Sequence, residues 1–371
     1  MFKAFELERW QSTWENRVKF NLSESGVHPL TIEELLRLSG SDPAEFLRLR
    51  LVYSQSDGTD ELRHAIAALY DGATADNVVV TIGSAEANFV ACWALVRPGD
   101  DVAILAPTYM QTWGLSENLG ARVTPIWLHY ERGWEPDPEE IARAITGKTR
   151  LVVVTNPNNP TGHVLSDAAR DAIVDRARAV GAWLLADEVY TGAERSGTIT
   201  PSFWGSYERV VVVNGFSKAY GLPGLRIGWI ACSPDLHREI LARHDYTVIG
   251  PSPAMDWLAI RALCVRERIL GRTRRILETN YPVLEGWLRG FGDFFQWHET
   301  ECGAIALVRY RGALSALDLV EQIRARHDIL LVPGDHFELP RHLRLGYGND
   351  TAELKAALAD LEPAVREVMG D

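Results

Sequence analysis

The sequence predicts an α/β protein in which a mainly parallel central sheet has helices on both faces and is followed by a smaller α+β domain. Between residues 77 and 232, short apolar runs rich in β-branched residues alternate with stretches whose apolar residues recur at helical spacing. Continuous apolar strands separated by helices indicate parallel strands that are buried on both faces. After Pro251 the pattern changes to long helices and then to short strand-like runs, which indicates a second, smaller unit.

Six short runs are the expected strands of the large sheet: NVVVTI (77–82), DVAILA (101–106), RLVVVT (150–155), WLLAD (183–187), RVVVVN (209–214) and RIGWIAC (226–232). The strand-like runs of the smaller domain are AIALVRY (304–310), ILLVPG (329–334) and HLRLGYG (342–348), and a final helix begins at Thr351. We therefore predict an N-terminal segment (1–30) that packs on the small domain, a large domain (31–255) and a small domain (256–371).

Length and composition exclude several classes of protein. The 371 residues suit two unequal domains. A net charge of −12 argues against binding to nucleic acid or to an anionic membrane. No apolar run reaches the roughly 18 residues of a membrane span, and the amphipathic N-terminus lacks the apolar core of a signal peptide. These two observations lead us to expect a cytoplasmic protein. The four cysteines contain no CxxC pair, so we expect reduced, mostly buried thiols and no zinc site.

Polar or Gly/Pro motifs follow nearly every expected strand, and the carboxyl ends of parallel strands meet at one crevice. GSAEA (83–87) opens a helix after the first strand, so the N–H groups near Ser84 and Ala85 offer a site for an anion. APTY (106–109) ends the next strand and brings Tyr109 to the crevice, where its ring could stack on a planar ligand. Taken singly, each motif is equally compatible with an ordinary turn.

Two further motifs supply amide and carboxylate groups. In NPNNPTG (156–162) the prolines fix the backbone and set the direction of the Asn159 amide, which is more than a structural turn requires. DEVY (187–190) puts Asp187 at a strand end, with Tyr190 three residues later. A carboxylate buried there needs a cationic partner, such as a protonated pyridine nitrogen, or its pKa rises. A helix N-cap is the structural alternative for Asp187.

A lysine and two arginines complete the pattern. SKAYGLPGLRIGW (217–229) carries Ser217, Lys218 and Arg226, and cationic neighbours in a crevice are expected to lower the pKa of Lys218 and make its amine a nucleophile. HLRLGYG carries Arg344, which could hold a substrate carboxylate through two hydrogen bonds. The structural alternatives are a solvated lysine and a salt bridge at the rim.

The order of these motifs resembles that of the class I and II aminotransferases, which are fold-type I enzymes dependent on pyridoxal 5′-phosphate (PLP). The resemblance covers roughly Tyr53 to Gly348, and six motifs in this order and spacing do not arise readily by chance. It implies PLP as the cofactor, an amino acid and a 2-oxo acid as the small-molecule substrates, and the two-domain fold of that class.

The resemblance also implies a role for each candidate residue. Lys218 would bind the cofactor covalently and move a proton between the substrate Cα and the cofactor, while Asp187 would keep the pyridine nitrogen protonated. With Tyr190, these are the predicted catalytic residues. The predicted cofactor contacts are Asn159 and Tyr190 at the phenolic oxygen, Tyr109 at the ring, and Ser84, Ala85, Ser217 and Arg226 near the phosphate. Arg344 would bind the substrate α-carboxylate, with Gly26 and Asn159 close by.

Tyr53 matches the position that members of this family use to reach the phosphate of the neighbouring subunit. The resemblance therefore implies a homodimer with a shared active site. One departure concerns the phosphate itself: Gly215 stands three places before the lysine, where family members often carry a hydroxyl residue. Phosphate contacts from this position are not expected.

The N-terminal stretch NLSESGVHPLT (21–31) departs from the family's usual Gly-Glu-Pro-Asp pattern. Its SGVH part is similar to capreomycidine synthase and related PLP enzymes of arginine-derived antibiotic pathways. Two interpretations stay open. Ser25, Gly26 and His28 could line the substrate pocket, or the segment could be a differently packed lid that leaves the chemistry unchanged.

We predict transfer of the amino group of an L-amino acid to a 2-oxo acid. The alternative is a cyclisation or an elimination and replacement that retains the amine, on a hydroxylated arginine-like amino acid. A binding module without catalysis is disfavoured because Lys218 and Asp187 are both present. The substrate pocket could suit an aromatic side chain, given Trp10, Trp14 and Tyr109. It could equally suit a guanidinium, given the acidic residues Glu24 and Glu86.

Overall fold

The computed structural model describes residues 2–369, and within them a large mixed sheet forms the centre of the molecule. Its strands are β2 (Val78–Thr81), β3 (Asp101–Ala106), β4 (Arg122–His129), β5 (Glu135–Pro136), β6 (Thr149–Thr155), β7 (Trp183–Asp187), β8 (Val210–Gly215) and β9 (Gly228–Ala231). They lie in the order β2-β9-β8-β7-β6-β3-β4-β5. The pairs β4·β3, β3·β6, β6·β7 and β7·β8 are parallel, whereas β9 is antiparallel to both of its neighbours.

Each of the six predicted runs is a strand, which confirms the mainly parallel α/β fold. β4 and β5, at one edge of the sheet, are not among the predicted strands. β4, with the sequence RVTPIWLH, alternates between more and less exposed positions and contains Pro125. An edge strand needs neither a continuous apolar run nor every backbone donor, so its signal in the sequence is weak.

Helices cover both faces of this sheet. The helices of the chain are α1 (Glu6–Trp14), α2 (Ile32–Ser39), α3 (Pro43–Leu47), α4 (Asp60–Ala67), α5 (Gly83–Leu95), α6 (Gln111–Asn118), α7 (Pro138–Ala144), α8 (Asp167–Val180), α9 (Pro234–His244), α10 (Pro253–Cys264), α11 (Arg266–Arg289), α12 (Ala316–His327) and α13 (Thr351–Met369). Alternate residues of a strand enter different core clusters: Val153 packs in the cluster of α5 and α9, and Val152 and Val154 in the cluster of α8 and α11. This alternation is what a sheet buried on both faces requires.

A second, smaller sheet carries the C-terminal part of the chain. Its strands β10 (Phe295–Trp297), β11 (Ile305–Tyr310), β13 (Val332–Pro333) and β14 (His342–Gly346) are antiparallel and lie in the order β10-β11-β14-β13. None of the described helices is long and apolar enough to cross a membrane.

The N-terminal segment is joined to the small sheet by its backbone. β1 (Phe20–Asn21) pairs in parallel with β12 (Ile329–Leu330), and the N–H of Gly346 donates to the Leu22 carbonyl at 2.6 Å. Farther along, the N–H of His28 donates to the Gly348 carbonyl at 2.7 Å. These bonds tie residues 20–28 to the strand that carries Arg344. The exact domain limits at residues 30 and 255 stay predictions.

The substitution G228A tests the contact that positions the start of α5. A Cβ at Gly228 would overlap the backbone of Gly83 and Ser84, so the strand and the helix would have to separate. We expect the free energy of unfolding to fall by about 1–3 kcal/mol, measured by guanidinium unfolding with tryptophan fluorescence. The control is G224A, because a Cβ at Gly224 meets no atom within 4 Å. A G228A protein as stable as G224A would contradict this view of the contact.

Candidate active site

The carboxyl ends of β3, β6, β7 and β8 open onto one cavity of about 350 Å³. Its other walls are α1, the segment after β1, the start of α5, and β14. The lining includes twelve of the residues singled out in the sequence: Glu24, Ser25, Ser84, Ala85, Tyr109, Asn159, Asp187, Tyr190, Ser217, Lys218, Arg226 and Arg344. The structure therefore brings together at one site residues that are dispersed over the sequence from Glu24 to Arg344.

Lys218 lies just beyond the end of β8 and forms an ion pair with Glu24. The two atoms, Lys218 Nζ and Glu24 Oε1, are 2.9 Å apart. Burial lowers the pKa of Lys218, but attraction to Glu24 and Tyr190 outweighs burial, so the pKa lies above its ordinary value. The expectation that cationic neighbours lower this pKa is therefore wrong for the chain by itself. Arg344 does act in the expected direction, but Glu24 is nearer.

Asp187 ends β7 as a fully enclosed carboxylate. Burial raises its pKa to about 6, against hydrogen bonds from the Asn88 side chain and the Val189 N–H. The Asn88 Nδ2 donates to Asp187 Oδ2 at 2.8 Å, and the Val189 N–H donates to Oδ1 at 3.3 Å. Both donors are neutral, so the carboxylate remains suited to a cationic partner such as a protonated pyridine nitrogen.

The sequence analysis missed Asn88. It lies one residue beyond GSAEA and four residues after Ser84, so it occupies the same face of α5 one turn later. That spacing is the signal that could have identified it.

The first turn of α5 forms a close-fitting anion site. Gly83 has a positive φ of 74°, and a Cβ there would overlap the guanidinium of Arg226. Ser84 and Ala85 follow at the N-terminus of the helix, where free N–H groups and the helix dipole favour a phosphate. Gly215 has no side chain to offer, and a Cβ there would lie 3.1 Å from the Ile227 carbonyl oxygen. The close packing of β8 against β9 explains why this position is glycine.

Arg344 reaches the cavity from β14 and is fully buried. Its Nη1 donates to Asn159 Oδ1 at 3.0 Å and its Nη2 to the Ser23 carbonyl at 2.5 Å. Its Nε is buried and has no hydrogen-bond partner among the described residues. Burial lowers the pKa of Arg344, which the nearby Tyr190 and Glu24 oppose. A buried guanidinium with a free donor is suited to a carboxylate ligand.

Two aromatic residues complete the walls around Lys218. The hydroxyl of Tyr109 donates to Glu8 Oε1 at 2.5 Å, and burial, followed by the charge of Glu8, raises its pKa. Burial also raises the pKa of Tyr190, against the charges of Lys218 and Arg344. The glycine at position 303 leaves the ring of Tyr190 room, since a Cβ at Gly303 would lie 3.0 Å from it.

The N-terminal segment contributes carboxylates as well as walls. Glu8 and Glu15 of α1 and its C-cap line the cavity together with Glu24 and Ser25. Burial raises the pKa of Glu15, and the charges of Glu24 and Glu8 add to this effect. By contrast, the charge of Lys218 lowers the pKa of Glu24 to about 2. Of these acidic residues, only Glu24 was singled out in the sequence.

Several sequence candidates lie outside the cavity. Tyr53 is 91% exposed and is not among the residues that line the cavity. The Nη2 of Arg272 donates to His28 Nδ1 at 2.9 Å, away from the cavity, whereas Gly26 lies against the Ser217 carbonyl and the Lys218 side chain. Three residues considered for an aromatic or a guanidinium pocket make contacts elsewhere. Trp10 donates a hydrogen bond to the Leu331 carbonyl, and the ring of Trp14 lies under the guanidinium of Arg324. Glu86 accepts hydrogen bonds from the Ile82 N–H and the Thr247 hydroxyl.

Residues 29–361 match the family of aminotransferases of class I and II. The chain belongs to this family. It is 33% identical to capreomycidine synthase of Streptomyces vinaceus over 99% of the chain and 94% of that protein. It is 29% identical to the aspartate/prephenate aminotransferase of Thermus thermophilus, over 82% of the chain and 81% of that enzyme.

Two solved structures have nearly the same fold. A PLP-dependent aminotransferase of Streptococcus suis superposes with a TM-score of 0.93 at 31% identity, over 99% of this chain and 98% of that one. The PLP-dependent cyclase OrfR superposes with a TM-score of 0.92 at 29% identity, over 98% and 97%. The fold-type I assignment is confirmed, and the similarity extends to both aminotransferases and cyclases.

The cofactor is PLP, and the cavity has a group suited to each of its parts. The buried Asp187 carboxylate, whose partners are neutral, suits the pyridine nitrogen. The first turn of α5, with Arg226 packed against Gly83, is suited to the phosphate. Lys218 provides an amine in the same cavity.

The substitution D187N separates a cofactor-binding role of this residue from a structural one. Because the pKa of Asp187 is about 6 in the folded protein and its ordinary value is 3.8, its ionisation lowers the free energy of unfolding of the cofactor-free protein. This destabilisation is complete above pH 6 and disappears as the pH falls towards 4. Without cofactor, D187N is therefore expected to be more stable than the wild type at pH 8 by up to about 3 kcal/mol, with a smaller difference at pH 5. PLP should bind to D187N at least about tenfold more weakly, because the pyridinium loses its counter-ion.

Urea unfolding of the cofactor-free protein and PLP titration followed by absorbance measure the two effects. D171N, which changes an exposed aspartate of α8, is the control and should change neither. If Asp187 were only a helix cap, D187N would leave both the stability at pH 8 and the affinity for PLP nearly unchanged, because asparagine caps a helix as well as aspartate does.

Proposed function

We propose that the protein transfers the amino group of an L-amino acid with a cationic side chain to a 2-oxo acid. The observation that carries the proposal is the division of charge in the cavity. Arg344 lies at one wall and is suited to the α-carboxylate, whereas Glu8, Glu15 and Glu24 belong to the N-terminal wall. A ligand that has a carboxylate at one end and a cation at the other would pair with both walls.

The carboxylates themselves support a cationic ligand. Glu15 is held near Glu24 and Glu8, and their mutual repulsion contributes to its raised pKa. Like charges brought together in a partly buried site cost free energy that an added cation removes. Arg344 and Asn159 are already bonded to each other, so the α-carboxylate would be received by a pre-arranged pair.

We assign the following tasks to the residues of the chain. Lys218 holds the cofactor and moves the proton at the substrate Cα, and Asp187 keeps the pyridine nitrogen protonated. Bound PLP supplies an electron-withdrawing ring that stabilises negative charge at that carbon. Asn159 and Tyr190 donate hydrogen bonds to the phenolic oxygen, and Tyr109 packs on the ring. The phosphate is bound by Ser84, Ala85, Ser217 and Arg226.

We further propose a homodimer in which Tyr53 of one subunit reaches the phosphate of the other. The exposure of this tyrosine supports the assignment, because a ring that contacts little of its own chain is available to a partner. Leu51 and Val52, its neighbours in sequence, are exposed as well.

Cyclisation with retention of the amine is the second candidate, and the acidity of the cavity favours it. An aminotransferase must also accept a 2-oxo acid, and Glu8, Glu15 and Glu24 would repel one with a second carboxylate. A cyclase avoids this conflict because it has one substrate. The similarity to capreomycidine synthase over 99% of the chain, which includes the N-terminal segment, supports this candidate further.

Labelled substrates distinguish the two reactions. With α-¹⁵N-arginine and pyruvate, transamination is expected to place the label in alanine, and mass spectrometry detects it. With α-¹⁵N-hydroxyarginine and no oxo acid, cyclisation would keep the label in a product that has lost water. K218A is the control and should give neither product. Conversion of aspartate or leucine in preference to both cationic amino acids would contradict the proposed substrate class.

The substitution E15Q tests the carboxylate wall. Removing one negative charge near the substrate cation is expected to lower kcat/KM for the cationic substrate by about tenfold, with little change for a neutral amino acid such as leucine. The measurement compares the two substrates in steady-state kinetics. E33Q, which neutralises an exposed glutamate of α2, is the control. An equal loss for both substrates would indicate a structural effect and remove Glu15 from the recognition of the cation.

A further inference from the structure

Glu24 differs from the other carboxylates of the cavity because one of its oxygens accepts three hydrogen bonds. Glu24 Oε1 lies 2.9 Å from Lys218 Nζ, 2.8 Å from the Ser25 nitrogen and 3.0 Å from the Gly26 nitrogen. The two backbone donors belong to the same tight turn, so they fix the oxygen whether or not Lys218 is present. The carboxylate is therefore positioned before Lys218 contacts it.

The turn is itself held close to the lysine. A Cβ at Gly26 would lie 3.2 Å from the Ser217 carbonyl oxygen and 3.7 Å from Lys218 Cδ. On its other side, the Gly26 carbonyl is so near Gly348 that a Cβ there would overlap it. Backbone packing on both sides of the turn therefore fixes the backbone position of Glu24 relative to Lys218.

We propose that Glu24 is a positioning residue that holds Lys218 as an ammonium ion and thereby sets the pH above which the lysine nitrogen becomes available to the cofactor. An amine forms a covalent bond through its nitrogen only after its proton has left, here to solvent. A carboxylate at 2.9 Å stabilises the proton that must leave.

The other charged groups around Lys218 do not replace Glu24. Tyr190 favours the ammonium form less strongly than Glu24, and Arg344 disfavours it. Asp187 and Glu15 also interact with the charge of Lys218, without a hydrogen bond to it. Burial acts against the ammonium, so loss of the Glu24 charge leaves a lysine whose surroundings favour the neutral amine.

The test is the rate at which cofactor-free full-length protein captures PLP, followed by the visible absorbance of the bound cofactor from pH 7 to about pH 12, a range that extends above the ordinary lysine pKa of 10.5. E24Q keeps an oxygen for the Ser25 and Gly26 N–H groups but removes the charge. We expect the pH midpoint of the capture rate to fall by about one unit or more in E24Q, so that capture at pH 8 is roughly tenfold faster. The rates of E24Q and wild type should converge at the highest pH.

E15Q is the matched control, since it removes one negative charge from the same cavity but no hydrogen bond to Lys218. Its midpoint should move by less than half as much. A purely structural role of Glu24 would lower the thermal unfolding temperature without moving the midpoint. A midpoint in E24Q equal to that of wild type or of E15Q therefore overturns the proposal.

E24D keeps the test decisive if E24Q does not fold. It retains the charge but withdraws the carboxylate by one methylene, so its midpoint is expected between those of wild type and E24Q. An unchanged midpoint in E24D would overturn the proposal in that case. Because no amino acid is present in these experiments, their outcome does not depend on whether the enzyme transfers amino groups or forms rings.

Discussion

The buried carboxylate of Asp187 is the constraint around which the site is arranged. It ends β7 in the middle of the large sheet, and its hydrogen-bond donors, Asn88 and the Val189 N–H, are both neutral. An ionised group in such a place costs several kcal/mol unless a cation joins it. In the chain without cofactor, this cost appears as a raised pKa of Asp187, about 6, because burial disfavours the ionised carboxylate. A protonated pyridine nitrogen of the cofactor would provide the missing cation, and the site would then be completed by its ligand.

Lys218 and Glu24 also bring charges into the cavity, but here each charge is compensated by the other. Here the chain supplies both charges, and the pair lowers the pKa of Glu24 and raises that of Lys218. A pair that is satisfied within the chain is stable but chemically inert, because the lysine must give up its proton before it reacts. The cavity therefore contains one buried carboxylate whose donors are neutral and another that is paired with a lysine of the chain.

The central part of this site could be predicted from the sequence because each motif directly follows a strand. In a parallel sheet, Ser84, Asn159, Asp187 and Lys218 must come to one edge, whatever the details of the helices. The N-terminal carboxylates could not be placed in this way. Glu8 and Glu15 are held at the cavity by contacts such as the pairing of β1 with β12 and the hydrogen bond from Trp10 to the Leu331 carbonyl, which join residues more than 300 positions apart and which no local pattern specifies. The direction of the Lys218 pKa was predicted wrongly for the same reason, since it depends on Glu24.

β14 links the two ends of the proposed substrate site. Arg344 belongs to this strand, and its Nη2 donates to the Ser23 carbonyl, next to Glu24. Gly346 and Gly348 allow the backbone of residues 22–26 to lie against the strand and its continuation, where any side chain would overlap the carbonyls of Glu24 and Gly26. Arg344 and Glu24 are therefore held at a fixed spacing by the small domain. Lys218 and Asp187 follow strands of the large sheet, so in the proposed site the packing between the two sheets would decide how a substrate bound by Arg344 meets the cofactor.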